Sequence, residues 1–229
     1  MTVKEVSDAA AVVVDGVVES ATSYWDLQRN TIFTNVRLVN VKRLKGPVGD
    51  EKGAYEFVVP GGRVGGKERI VTGGPRFAVG ERWLLFLRTS FRIHPVIGIG
   101  CGAFRVAEDV NGQMKVLDVA GAEIVGIDAQ GLVQTRGVNR INGDGLVVGG
   151  TSPGVRVVEV GAAAPVQGMT MDEFMGRVLP VIESSAPLPA APSPAGIQST
   201  HPRAAPLKAR LPRDTNVSNA PSMRRHGDE

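Results

Sequence analysis

Cysteine is nearly missing from this protein: Cys101 is the only one in 229 residues. No intrachain disulfide can form, which excludes the small disulfide-stapled secreted class while leaving the compartment open. Histidine is scarce too, with His94, His201 and His226, two of them near the C-terminus. A zinc site needs three or four ligands held together, and His94 with Cys101 supplies two, so no metal is expected. No stretch of about 18 apolar residues occurs, so no segment reads as a membrane-spanning helix. Aromatic residues make up only 5% of the sequence, a profile that with abundant glycine fits short strands and tight turns better than a helical protein.

Motifs that carry chemistry are absent as well. Pro60-Gly-Gly-Arg-Val-Gly-Gly66-Lys67 lacks the order of a phosphate-binding loop, and no helix follows to aim a dipole at phosphate. It reads as a glycine hairpin. There is no Gly-x-Ser-x-Gly elbow and no distinctive carboxylate pair. Cys101 sits among Gly98, Gly100 and Gly102 with only His94 nearby in sequence, which fits packing better than nucleophilic catalysis. No catalytic residue and no cofactor are expected.

The charge also says less than its total. There are 26 basic and 23 acidic residues. Six of the basic and three of the acidic ones lie in 186–229, leaving 20 of each in residues 1–185. The basicity therefore belongs to the C-terminal segment, and the preceding part has no overall bias toward nucleic acid. The N-terminus, Met-Thr-Val-Lys-Glu-Val-Ser-Asp, lacks the basic and apolar blocks of a signal peptide. The protein is then either cytoplasmic or shown from after its export signal.

What is abundant is glycine, with 29 residues, and valine in short runs. Together they predict a mainly β protein of short strands and tight turns. Ala10 to Ser20 reads as a first strand with a bulge or bend at Asp15-Gly16. Ser20 to Asn30 reads as a loop. Thr31 to Leu44 alternates, with Ile32, Thr34, Val36 and Leu38 on one face before Val39 and Val41 switch parity. Such a switch marks a bulge, a device that bends strands at barrel corners. Tyr55–Val59 gives a third strand, and Arg69–Val71 is expected to extend the ribbon. Trp83–Leu87, apolar on both faces, predicts a central strand, and Gly98–Val106 a further one.

Residues 111–165 are expected to form accessory hairpins around Asn-Gly and Asp-Gly turns. Thr170-Met-Asp-Glu173 is a capping box for a helix at 170–183, with Pro180 expected to kink or end it. From 186 to 229, proline, alanine and serine dominate without periodicity, and disorder is expected. The organisation is thus a single β-rich domain at 8–183, with a barrel at 8–110, and a basic Pro/Ala-rich tail.

Several landmarks resemble an uncharacterised family of exported bacterial β-domains. They are Val12–Val18 followed by Trp25, Leu44-Lys45-Gly46, Pro60-Gly61-Gly62, Gly73-Gly74-Pro75-Arg-Phe77, and Gly80-Glu81-Arg82-Trp83-Leu84-Leu85-Phe86-Leu87. Gly102-Ala-Phe104-Arg-Val106 and the helix around Phe174 complete the set. The resemblance spans about residues 10–180. Residues 10–90 are also similar to the netrin module, the OB-like barrel of the tissue inhibitors of metalloproteinases. These likenesses imply an OB-like, netrin-like β-barrel with accessory hairpins and one C-terminal helix. Those inhibitors chelate zinc through an N-terminal cysteine, whereas position 1 here is Met, so that activity does not carry over.

The resemblance implies a non-catalytic extracytoplasmic binding module, periplasmic or secreted, whose partner is another protein or a cell-surface component. Candidate contact residues are Tyr24, Trp25, Arg88, Phe91 and Arg92; Trp25 could equally cover the barrel mouth. A single-stranded nucleic-acid-binding OB protein is the alternative, using Arg82, Trp83, Arg88, Phe91 and Arg92 as a stacking groove. Trp83 and Phe86 read as core, which weighs against it. A Cys101-dependent enzyme is the second alternative.

Overall fold

The computed structural model describes residues 1–46, 53–91, 93–136, 139–141, 147–149, 156–158 and 167–185. Arg92 and the segment 186–229, read above as a tail, lie outside them, as does much of the 111–165 region. The polypeptide opens with a helix, α1 (Val3–Ala9), started by a reciprocal cap between Thr2 and Glu5. The strands that follow are β1 (Val12–Asp26), β2 (Thr31–Lys45), β3 (Tyr55–Pro60), β4 (Gly62–Val64), β5 (Lys67–Arg69), β6 (Arg82–Leu87), β7 (Ala103–Glu108) and β8 (Met114–Leu117). Then come β9 (Ile124–Ile127), β10 (Val133–Arg136), β11 (Asn139–Ile141), β12 (Val147–Gly149) and β13 (Arg156–Val158), and a second helix, α2 (Met171–Ser184).

Six strands form one antiparallel sheet in the order β3-β2-β1-β6-β7-β8. This is an open sheet, not the closed barrel expected from the sequence. Closure would need β3 to pair with β8, and among the described residues it does not. The outer side of β8 instead bridges to Thr170 and Glu123. Alternate residues of β1, β6 and β7 are buried on both faces of the sheet.

On one face Val13, Leu84, Phe86, Phe104 and Val106 pack with α1 and α2, and the Phe104 and Phe174 rings lie 5.0 Å apart. On the other face Val14, Leu38, Phe57, Val59, Trp83 and Leu85 form a second cluster. Phe77 is wedged between Phe57 and Trp83 in edge-on contacts of 5.4 and 5.2 Å. The sheet thus carries an apolar cluster on each face, with helices packed on one of them.

Local expectations met different fates. The β1–β2 register shifts around Asp15 and Val17, and Asn40 takes φ +53°, so the bulge read from the parity switch is present. Ser20 to Asp26 is strand rather than loop, because it pairs in register with Thr31 to Arg37; the turn is confined to residues 27–30. Arg69 ends β5, and the ribbon does not continue through Val71. Residues 97–102 form a turn, and the strand expected from Gly98 starts only at Ala103. Ile99 sits there at φ +65°, a conformation that excludes a strand and is strained for a β-branched residue. Helix α2 runs through Pro180 to Ser184, held by buried Val178 and Ile182 on either side. Beyond the main sheet, β9 pairs antiparallel with β10, β10 pairs parallel with β13, and β11 pairs with β12.

The family-like landmarks turn out to be structural fasteners. Lys45 Nζ donates to the Ser7 carbonyl at 2.7 Å, capping the end of α1, and Gly46 at φ +89° lets the backbone pass against the Ala11 carbonyl. Glu81 accepts from the Ala78 N–H, the Trp83 Nε1–H and Arg105, at 3.0, 3.1 and 3.1 Å. Arg82 pairs with the buried Asp15.

Candidate functional site

At the end of the β1–β2 hairpin the backbone turns through Leu27–Asn30. Asp26 fixes this turn: its Oδ1 accepts the Gln28 and Arg29 N–H groups at 2.9 and 3.0 Å, and Oδ2 takes Arg29 Nη1 at 3.2 Å. These bonds stabilise the ionised form and hold the Asp26 carboxyl below its usual range. Leu27 is 87% exposed at the apex.

Aromatic and cationic groups alternate just behind the turn. Tyr24 stacks on Phe33 at 6.3 Å, and the Arg29 guanidinium lies 5.4 Å over the other ring of that pair, Phe33. Lys67 Nζ sits 5.0 Å over the Trp25 ring. Each cation is attracted by the ring quadrupole, about 0.5–1 kcal/mol where water has access. Burial, with Asp26 adding to it, pushes the Tyr24 phenol above its usual pKa, so it remains a hydrogen-bond donor.

Lys67 reaches Trp25 because the short β4–β5 hairpin folds back beside β1 and β2. Gly61 N–H donates to the Ile32 carbonyl at 2.8 Å, and Arg69 bonds Thr31 Oγ1. A relay of hydroxyls locks the base: Arg63 N–H donates to Ser23 Oγ at 3.3 Å, and Thr34 Oγ1–H donates to the Gly61 carbonyl at 2.8 Å. The 2.9 Å bond between them must then run from the Ser23 hydroxyl to Thr34 Oγ1. Gly62, at φ +126°, passes so close to both hydroxyls that a Cβ there would collide with them.

Under this hairpin lies a cavity of about 250 Å³. Val59, Val71 and Phe77 give it apolar walls, and Arg63, Arg69, Arg76, Glu68 and His94 give it polar ones. His94 is 7% exposed and its Nδ1 accepts the Val96 N–H at 3.1 Å. Burial drops its pKa to about 4, so the ring is neutral with its proton on Nε2.

The five contact residues named from the sequence are not one surface. Tyr24 and Trp25 are at the end of β1, as half-buried strand residues. Arg88 follows Leu87, which pairs with Val12 at the start of β1, so it belongs to the opposite end of that strand. Phe91 is 36% exposed, and Arg92 lies outside the described residues. Of the residues read as a nucleic-acid stacking groove, Trp83 is buried and Arg82 pairs with Asp15. Cys101 is half-buried in the turn before β7, and burial raises its pKa, which suppresses the thiolate.

Arg29, Phe33, Lys67 and the cavity arginines escaped the sequence reading. Their only signal was Val64-Gly65-Gly66-Lys67, a hairpin whose landing place the sequence does not state. Among the described residues no group of three or more His, Cys, Asp or Glu side chains converges, and no helix is long and apolar enough to cross a membrane.

Fold and site together define a two-faced, helix-covered antiparallel sheet that presents a cation-capped aromatic tip. Comparison with protein-family models, curated proteins and solved structures returned no match.

Proposed function

We propose that this protein is a non-catalytic extracytoplasmic binding module that contacts a protein or cell-surface partner through the end of the β1–β2 hairpin. The observation that carries the reading is the layered tip, in which Lys67 covers Trp25 and Arg29 covers Phe33 beside Tyr24. Tryptophan, tyrosine and arginine dominate binding hot spots because they combine broad apolar area with a polar end. The Asp26 turn and the Ser23–Thr34 relay order these groups beforehand, so little entropy is lost when a partner docks. The extracytoplasmic placement rests on the resemblance to exported bacterial β-domains. The likeness to the netrin module enters the proposal through the β1–β2–β3 meander and its Lys45-Gly46 exit.

The test is capture of partners from envelope and medium fractions by the full-length protein and its Trp25→Ala variant. A partner held by the parent and lost by an equally stable variant supports the reading. Equal capture by both, or none by either, contradicts it. Digestion of the protein by protease added to intact cells tests the location.

A further inference from the structure

The lining of the cavity beneath the β4–β5 hairpin carries more positive than negative side chains. Three arginines line it, Arg63, Arg69 and Arg76, against one carboxylate, Glu68. Residues 1–185 as a whole are balanced, with 20 basic and 20 acidic side groups. Among the described residues, none of the three guanidinium groups forms an ion pair. Arg69 bonds the hydroxyl of Thr31.

His94 adds a fourth donor to the wall. Its Nδ1 is occupied by the Val96 N–H, so the ring hydrogen is on Nε2, and no acceptor for it is present among the described residues. A neutral donor beside several cations is poorly used by a cation or an uncharged apolar guest. The cavity volume of about 250 Å³ equals about eight waters at roughly 30 Å³ each. That is room for one small charged group and a short stem along Val59, Val71 and Phe77.

We infer that this cavity binds a carboxylate carried on a short apolar stem, gripped by Arg63 and Arg76 and capped by the His94 Nε2–H. Arginine forks match the planar carboxylate, and charge-assisted bonds of this kind are about twice as strong as neutral ones. The apolar wall of Val59, Val71 and Phe77 favours a carboxylate on a carbon stem over inorganic phosphate, which has no such stem. The inference rests on the binding-module reading and names the chemistry of its partner: the cavity takes an acidic group while the tip beside it supplies the aromatic contact. The C-terminus of a polypeptide and an Asp or Glu residue offer the same chemistry.

The experiment is an NMR titration of the full-length protein. Amide signals of Gly61, Gly62 and Gly74 and the His94 ring signals are followed as probes are added. The probes are N-acetylleucine for a C-terminus, N-acetylglutamic acid α-amide for an acidic residue, N-acetylleucinamide as the uncharged control, and inorganic phosphate. Saturable shifts are expected from at least one carboxylate and not from the amide, and the tighter of the two identifies the source. Arg63→Gln with Arg76→Gln, both at exposed positions, should weaken the carboxylate roughly tenfold or more. Absence of saturation by both carboxylates, tighter phosphate binding, or full affinity in the double variant overturns the inference. If the titration fails while partner capture still depends on Trp25, the pocket is wrong and the binding module stands. If the titration succeeds while capture is independent of Trp25, the reverse holds.

Discussion

Asp15 and Arg82 are joined by two parallel hydrogen bonds, Nε to Oδ1 at 2.8 Å and Nη2 to Oδ2 at 2.6 Å, with the carboxylate buried in the middle of β1. The pair ties β1 to β6, whose ladder runs unbroken through Gly16, beside the register shift that β1 makes with β2. It also accounts for Arg82 in the Gly-Glu-Arg-Trp landmark without any catalytic role. Arg82→Ala strands a buried carboxylate and should cost about 2–3 kcal/mol, less than for a fully buried pair because Arg82 is partly exposed. Replacing both partners, as Asp15→Leu with Arg82→Met, should recover most of that loss. Urea unfolding measures both.

Two glycines with similar torsions should respond very differently to alanine. Gly46 at φ +89° passes against the Ala11 carbonyl, whereas Gly80 at φ +86° faces open space. Gly80→Ala carries only the left-handed penalty, about 1 kcal/mol. Gly46→Ala adds a backbone collision and should lose about 3 kcal/mol or more. Equal thermal shifts for the two variants would refute the packing at Lys45-Gly46.

His94 gives the fold a pH dependence with a definite sign. Its folded pKa of about 4 lies below the ordinary value of 6.5, so the unfolded state binds the extra proton first. Stability from this group is complete above pH 6.5 and is lost as the pH falls toward 4, by an amount of order 3 kcal/mol. Burial of the ring is the main cause of the shift. His94→Asn keeps an acceptor for the Val96 N–H and removes the titration. The difference in unfolding free energy between parent and variant should shrink in that window.

The two tryptophans should separate in fluorescence. Trp83 is 2% exposed, and Trp25 is half-buried under Lys67. Acrylamide should quench one population and spare the other, and Trp25→Phe should leave only the protected, blue-shifted emission. Quenching that stays unchanged in Trp25→Phe would place the accessible indole elsewhere.

Much of the fold is written locally. The parity switch from Leu38 to Val39 and Val41 announces the bulge at Asn40, and Thr170 to Glu173 announces α2. Thr2 and Glu5 carry the same capping signature, yet only Val3 and Val6 follow as buried apolar positions, too few to reveal periodicity. Closure is not local. The alternation in β1 and β6 shows that both faces are apolar but not whether the sheet curls shut or is covered by helices. The site is the least legible part, because Trp25 and Lys67 meet only when the β4–β5 hairpin folds back.

The most direct test of the account is site-specific photocrosslinking. A photoreactive residue replaces Leu27, at the exposed apex of the β1–β2 turn, or Lys4, exposed on α1 near the start of β1. Both full-length proteins are irradiated with the envelope and medium fractions of the producing cells. The account predicts a discrete adduct from position 27 and none from position 4. Adducts of equal yield from both, or from position 4 alone, would contradict the assignment of the hairpin tip as the contact surface.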